Sequence, residues 1–547
     1  MMEENKQPLE NTEDKYSAFD EPIRHTETKS PKKKGNKRTR TLLFTAAGAL
    51  VLAAAVLVVT LLPVAPTGDS GSASSAPQEP SSITLLDKTL EEGVAVTKIE
   101  IKNKEDEFVV YYEESDKTYR LQGYADLLLE ADGVDSLTES AAFIRAGEQV
   151  NEVADLATFG LDKPIATVTV TYHDKSTATL SIGKETPTGG HYYVSLQGRD
   201  GVYMCSSDSL SCFLADGASY VNTTLLTAPT VKQDDSTGSP SLREVTLSGR
   251  SHPEPLTIRR RVNADGDEML YYTYVISEPY KRGVSDEAAN QLATFYSLTA
   301  SRAVVLHPTA EQLKTFGFDN PLTVMNLTLS VVSTVKSNAS SDSEEGEEII
   351  DFYNTTKATL TIGDKDDEGN YLVMLDGINA VFAVPAANLA AVAERTYDNT
   401  VTDLLYLKNV QEVGRIDLFA ADMGKHSFTL THVKNEDDRD KSLIVKEGDK
   451  QYSTPEFRDL YQLMMSIERY DGLNMAPDID PELGIDIYDV DGELYLSAQF
   501  YPASGSLYHV RTSEGELFVT SASNITHFVK QVENFLNGKD VLLSNNV

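Results

Sequence analysis

Hydrophobic residues in this chain follow two patterns. Near the N-terminus they run together: Thr41–Leu62 reads TLLFTAAGALVLAAAVLVVTLL, with no charged residue. Twenty-two residues at helical rise span about 33 Å, the thickness of a bilayer's hydrocarbon core. Beyond it the apolar residues are spaced. Thr167-Val168-Thr169-Val170-Thr171-Tyr172 alternates with period two, and Tyr192–Leu196 is a β-prone run. Short strands are expected at Ile99–Ile101, Val245–Leu247 and Ile416–Leu418. Helical spacing is expected at Asp286–Tyr296 and Pro455–Ile467. Strand runs outnumber helical ones and Gly-containing turns separate them, so the expected fold class is α+β with mainly antiparallel sheet.

The pattern repeats. Thr158-Phe159-Gly160-Leu161-Asp162-Lys163-Pro164 recurs as Thr315-Phe316-Gly317-Phe318-Asp319-Asn320-Pro321, with 317 − 160 = 157 residues between the glycines. Downstream, Ala178–Gly183 matches Ala358–Gly363 at a spacing of 363 − 183 = 180. The difference, 180 − 157 = 23 residues, is an insertion placed near the polar, acidic stretch Ser337–Glu348 and expected to be a surface loop. A fainter third copy aligns Leu483-Gly484-Ile485-Asp486 with the Phe-Gly-Leu-Asp core. Three segments with the same character, an apolar strand followed by a Ser- or Pro-started helix, begin at Gly201, Ala380 and Glu516. The expected organisation is a disordered cytoplasmic tail (1–40), a transmembrane helix (41–62), a Ser/Pro-rich linker (63–82) and three repeat units at 83–228, 240–407 and 408–540, the last divergent.

Charge sets the orientation. Lys32, Lys33, Lys34, Lys37, Arg38 and Arg40 precede the apolar run, whereas the twenty residues after it contain no Lys or Arg. The positive-inside rule then puts the N-terminus in the cytoplasm and the bulk of the chain outside the cell membrane, on a single pass. The run is too long for a cleaved signal peptide, and no Cys follows it as a lipoprotein needs. Residues 1–40 carry ten Lys/Arg and eight Asp/Glu; with −36 for the whole chain, the remainder carries −36 − 2 = −38. Such a surface repels phosphate backbones, so no nucleic-acid partner is expected.

The Phe-Gly-Leu-Asp-x-Pro core, the Thr-Leu-x-Ile-Gly strand and the Tyr-Tyr-Val strand resemble the bacterial family called domain of unknown function 4340. The likeness is strongest over Thr158–Leu196 and Lys314–Leu375. It implies a membrane-anchored, extracytoplasmic protein of the kind that in some cases accompanies ABC-type export components. It implies no catalytic residues.

Familiar chemistry is absent from the sequence: no HExxH, no GxSxG elbow and no GxxxxGK[ST] loop occurs, and the nine His are scattered. Ser333 and Lys336 match S-x-x-K but end a β-prone run without a K-T-G strand beyond. Asp364, Asp366 and Glu368 with Gly369 imitate the start of an EF-hand loop, yet its twelfth position is Leu375. Asp489, Asp491 and Gly492 form a similar turn. Cys205 and Cys212 lie seven apart on the outer side, as a disulfide or as two buried thiols. No catalytic, cofactor-binding or metal residue is therefore assigned, and no cofactor is expected. The expected function is that of a non-enzymatic scaffold or accessory subunit of an envelope or ABC-type export complex, with an envelope or transporter protein as partner. The alternatives are an extracytoplasmic hydrolase of wall polymer or peptide using Asp162 or Asp319 as acids, and a calcium-dependent adhesin.

Overall fold

A computed structural model describes residues 82–151, 155–262, 271–336, 348–434, 441–473, 475, 477–503 and 505–544. The apolar run Thr41–Leu62, the tail before it and the linker residues 63–81 lie outside them. Among the described residues no helix is long and apolar enough to cross a membrane.

The chain is sheet-rich α+β, and every pairing between named strands is antiparallel. Three large sheets follow one another along the sequence. The first has eight strands, in the order Thr118–Leu121, Glu107–Glu113, Val96–Asn103, Ala166–Tyr172, Thr177–Glu185, His191–Leu196, Arg199–Ser206, Glu148–Gln149. The middle sheet runs Arg282–Gly283, Tyr274–Glu278, His252–Arg260, Ser239–Gly249, Thr323–Lys336, Glu348–Lys365, Tyr371–Leu375, Ala380–Val384, Arg302–Leu306. The last runs Lys450–Tyr452, Lys441–Glu447, Gly424–Lys434, Val413–Ala420, Leu483–Asp489, Leu494–Pro502, Leu507–Thr512, Leu517–Ser521. In each, an opening meander pairs through its first strand with a second meander, and a helix joins the two.

Those joining helices are α1 (Ala131–Ala142), α2 (Asp286–Ala293) and α4 (Thr454–Met465), with α3 (Ala386–Ala393) and α5 (Ala522–Leu536) closing the middle and last sheets. Local sequence accounts for them. Ser285 accepts from the Ala288 amide and Asp286 and Glu287 fill the first turn of α2, whose Ala288, Ala289 and Leu292 are buried. Proline stands in the first turn of α4, which buries Phe457, Leu460, Tyr461 and Met464. Helix α5 buries Ile525, Phe528, Val532 and Phe535 at three- and four-residue spacing, and Phe428, Phe457, Tyr452 and Phe535 meet ring to ring in the last core.

The shared motif is a clasp. Gly160 and Gly317 end a short helical turn with φ of 70° and 83°, a conformation that favours glycine. The motif then lays its Phe carbonyl over the glycine of the Thr-Leu-x-Ile-Gly strand. A Cβ on Gly183 would collide with the Phe159 oxygen, and one on Gly363 with the Phe316 oxygen. Both glycines sit in a register shift, between Ile182 and Glu185 and between Ile362 and Lys365. In the second case the bulge frees the Asp364 amide to donate to the Phe316 carbonyl at 2.8 Å.

Two sequence expectations need correction here. The third alignment, on Gly484, is out of step: Gly484 lies inside the strand Leu483–Asp489, without positive φ, where the motif requires a turn. The residue after each motif proline shows the true correspondence. Ile165, Leu322 and Glu482 donate to Ile182, Ile362 and Phe500 at 2.8, 2.9 and 2.9 Å, so Pro481 stands where Pro164 and Pro321 do. The counterpart of Gly160 is then position 481 − 4 = 477, a proline, and the slip is 484 − 477 = 7 residues. Alternation of Leu, Ile and Asp imitated the motif while belonging to the following strand. Second, the insertion is more than the loop expected at Ser337–Glu348: its arms extend the hairpin Thr323–Lys336 with Glu348–Lys365, paired from Thr323↔Ile362 to Lys336↔Glu348. Only 337–347 fall outside the described residues.

Neighbouring sheets share backbone and core. Thr224–Leu226, which follows the first sheet, pairs with Leu298–Thr299 beyond α2, and Leu127, Val221, Leu225 and Leu226 join the middle core. Leu404, after the middle sheet, bridges to Glu468 after α4.

Candidate functional site

Alternation along the central strands of the middle sheet divides their side chains. Val245, Leu247, Met325, Leu360 and Ile362 go to the core. The intervening residues form two rows across the opposite face. Thr246 pairs with Asn326 and Asn326 with Thr359; Glu244 pairs with Thr328 and Thr328 with Lys357. The Thr359 hydroxyl donates to Asn326 Oδ1 at 2.9 Å, and the Thr246 and Thr257 hydroxyls meet at 3.0 Å.

This face is walled rather than flat. The segment Leu225–Thr230, leaving the pairing with Leu298–Thr299, stands along one side, and the strands and wall line a groove of about 910 Å³. That wall is tied to the sheet at a second register shift, where Leu329 pairs with Thr356 and Val331 with Tyr353. Asn354 there has φ 48°, rare for a residue with a Cβ, and its Nδ2 donates to the Thr230 carbonyl at 2.6 Å. Asp235 fastens the rest of the segment. It accepts from the Tyr353 hydroxyl at 2.7 Å and from the Gly238 and Thr237 amides at 2.8 and 2.9 Å. The Tyr353 bond chiefly holds its carboxyl well below the usual range.

A second polar constellation is buried between the middle and last sheets. Glu516 Oε2 accepts from Arg282 Nη1 at 2.5 Å, and Oε1 from Arg469 Nε at 2.9 Å. Arg469 also pairs with Asp398. Exposures of 1%, 2% and 4% for Glu516, Arg469 and Arg282 leave the charges no solvent, so they neutralise one another. Burial works against the Arg469 charge, but Asp398 and Glu516 overcome it and hold its pKa above the ordinary value. Burial pushes the neighbouring Tyr397 phenol far up. An acid clamped by two guanidiniums is a structural tie. Between the first and middle sheets, His307 Nε2 meets Asp126 at 2.9 Å.

The residues singled out in the sequence do not converge. Asp162 and Asp319 are exposed, each in its own clasp on a different sheet. Ser333 lies in the strand Thr323–Lys336, hydrogen-bonded to Thr237 at 2.9 Å, and starts no helix. Around the EF-hand-like turn the carboxylates are already engaged. Arg250 pairs with Asp364, and Arg302 stands 3.1 Å from Asp366 and 3.6 Å from Glu368. Asp366 also accepts from the Glu368 and Asn370 amides at 3.0 and 2.9 Å, a charged hairpin turn. Asp489 accepts from the Asp491 and Glu493 amides likewise. Among the described residues no group of three or more His, Cys, Asp or Glu is placed to hold a metal ion. Cys205 and Cys212 are free thiols, not a disulfide. Burial raises both, Cys205 to about 12, which leaves little thiolate at neutral pH.

With this geometry the family comparison is decisive. The model for Domain of unknown function (DUF4340) matches residues 120–267 and again 275–472. The chain belongs to this family. Each DUF4340 segment starts near the end of one opening meander and reaches into the opening strands of the next sheet, so the family unit is staggered against the sheets. The clasps at Gly160 and Gly317 fall one in each DUF4340 segment. No curated protein and no solved structure matches the chain.

Neither the groove nor the buried tie was read from the sequence. The groove's signal was present as period-two polar residues, Asn326, Thr328 and Ser330 in one strand and Thr359 and Thr361 in the next, but alternation does not say which face carries a wall. The tie left no signal, because Glu516 lies 234 residues from Arg282 and 47 from Arg469.

Proposed function

We propose that the chain is a non-enzymatic, membrane-anchored scaffold of the bacterial envelope, and an accessory subunit of an envelope or ABC-type export complex. Thr41–Leu62 is its anchor, residues 1–40 are cytoplasmic, 63–82 form a spacer, and the bulk stands outside. The body is three copies of one unit, at 83–228, 240–407 and 408–540. The observation that carries this reading is the recurrence of one strand order in three consecutive sheets, each preceded by a segment that pairs beyond the joining helix. Repetition of this kind builds a long contact surface more readily than a single deep site. The backbone pairings and the buried Arg282–Glu516–Arg469 tie support a body that presents the three units in fixed register. The anchor confines that body to the membrane plane, where the effective concentration of a partner is high.

The test is crosslinking in living cells followed by purification through a C-terminal tag. A reproducible envelope or transporter partner is expected, kept when residues 1–40 are deleted and lost when 83–540 are deleted. Turnover of wall fragments or peptides by the purified chain, abolished by Asp162→Asn or Asp319→Asn, would overturn the reading in favour of a hydrolase.

A further inference from the structure

We infer that the groove on the middle sheet binds a neutral, polyhydroxylated chain such as a glycan; this goes beyond the scaffold role and does not depend on it. The floor is the face of central strands, not an edge. Their backbone amides and carbonyls are consumed by the ladders on both sides, so an incoming peptide finds nothing to extend. Recognition falls to side chains, and these are hydroxyls and primary amides: Thr246, Thr328 and Thr359 on the floor, Asn326 at its centre, Thr355 and Asn354 on the wall. Hydroxyls both donate and accept, and so match a ligand that does the same. Asn326 is oriented for this, because its Oδ1 is taken by Thr359 and its NH₂ is left to donate. The charges are sparse and mixed, Lys357 against Glu244 and Asp376, which disfavours a polyanion and gives a polycation little. At about 910 Å³ the groove is at the upper end of ligand-pocket sizes, with room for several sugar rings.

An independent observation points to the same place. Asn354 is held in a strained backbone conformation at a bulge, and the bulge brings Thr355 and Thr356 to the groove wall. The bulge lies in an extension that the hairpin of the first sheet, paired from Ala166↔Ile182 to Thr171↔Thr177, does not have. That hairpin carries a comparable hydroxyl pair, Thr169 and Thr179 at 3.3 Å. The strain belongs to the walled sheet, as bulges next to binding sites often do.

The experiment titrates the detergent-solubilised full chain with two neutral tetrasaccharides, a β-1,4-linked N-acetylglucosamine tetramer and a β-1,4-linked glucose tetramer, by calorimetry. Saturable binding of at least one is expected, insensitive to added salt. Asn326→Ala and the isosteric Thr328→Val should each weaken it about five- to tenfold, the loss of one hydrogen bond. Thr169→Val on the first sheet should leave it unchanged. Both groove residues sit on the solvent side of the sheet, and unchanged melting of the variants excludes a folding defect. Absence of binding by both tetramers, or equal binding by wild type and both groove variants, overturns the inference. Salt-sensitive binding of a polyphosphate or an oligolysine in their place does so too.

Discussion

Replacing Gly363 by alanine attacks the clasp at its tightest point. Gly363 is buried and its φ is not positive, so an alanine there meets a problem of space and not of backbone conformation. The new Cβ would stand well under 3.0 Å from the Phe316 oxygen, and 3.4 Å from the Phe318 ring. The clashing atom is backbone and not the end of a flexible side chain, so the Phe316 turn must lift. Lifting breaks the bond from the Asp364 amide to the Phe316 carbonyl, now 2.8 Å, at a cost of about 1 kcal/mol. Overpacking in a fitted site adds about 1–3 kcal/mol, giving roughly 2–4 kcal/mol in all. Urea unfolding followed by fluorescence would read this as a fall in midpoint at constant slope. Gly183→Ala, which meets the Phe159 oxygen and Leu161 at 3.1 Å, should cost about as much. Gly377→Ala is the control: its surroundings are open and only its φ of 86° opposes a side chain, so about 1–2 kcal/mol is expected. A Gly363→Ala protein within about 0.5 kcal/mol of wild type would refute the clasp, since that is the range of a surface change.

Glu516→Ala should destabilise by about 3–5 kcal/mol, because it leaves Arg282 and Arg469 buried without a counter-charge; a loss below about 1 kcal/mol in urea unfolding would contradict the tie. Burial raises the Glu447 carboxyl, but hydrogen bonds from the Tyr452 hydroxyl and His426 outweigh it and hold the pKa below its ordinary 4.5. A depressed carboxyl contributes stability fully above that value and loses it as pH falls through the lowered one. Glu447→Gln should therefore flatten the acid limb of the stability curve as pH falls below the ordinary carboxyl value of 4.5, and parallel curves would show that the pair contributes nothing. Millimolar calcium should leave the melting temperature unchanged, because Arg250 and Arg302 occupy the carboxylates of the Asp364–Glu368 turn; a calcium-specific rise of several degrees, lost in Asp366→Ala, would favour an adhesin.

The parts of the fold legible in the sequence are those written in local periodicity. Val168, Val170 and Tyr172 alternate into the core as their spacing demands, and Ser285 and Pro455 mark helix starts where a cap or a first-turn proline would. The paired motifs at Gly160 and Gly317 were found because the clasp allows few substitutions: one glycine needs a left-handed φ, and its partner lacks room for a Cβ. The last sheet broke the reading for the same reason. It has a proline, Pro477, in place of the motif glycine, and a Leu-Gly-Ile-Asp that imitates the motif lies seven residues further on. Strand extension hid the insertion's nature, since its acidic tip reads as loop while its arms are ladder from Thr323 to Lys336. The groove and the buried tie depend on which faces and which distant charges meet. That information lies in tertiary arrangement, and no window of the sequence holds it.

The scaffold role requires the folded body to stand outside the membrane on a cytoplasmic tail. The direct measurement adds protease to intact protoplasts carrying the full chain with an N-terminal and a C-terminal tag. Lys32–Arg40 before the apolar run and their absence after it predict loss of the C-terminal tag and of the folded body, with a short N-terminal fragment protected. Protection of the folded body, or a body released to the medium without the apolar run, would contradict the anchored scaffold.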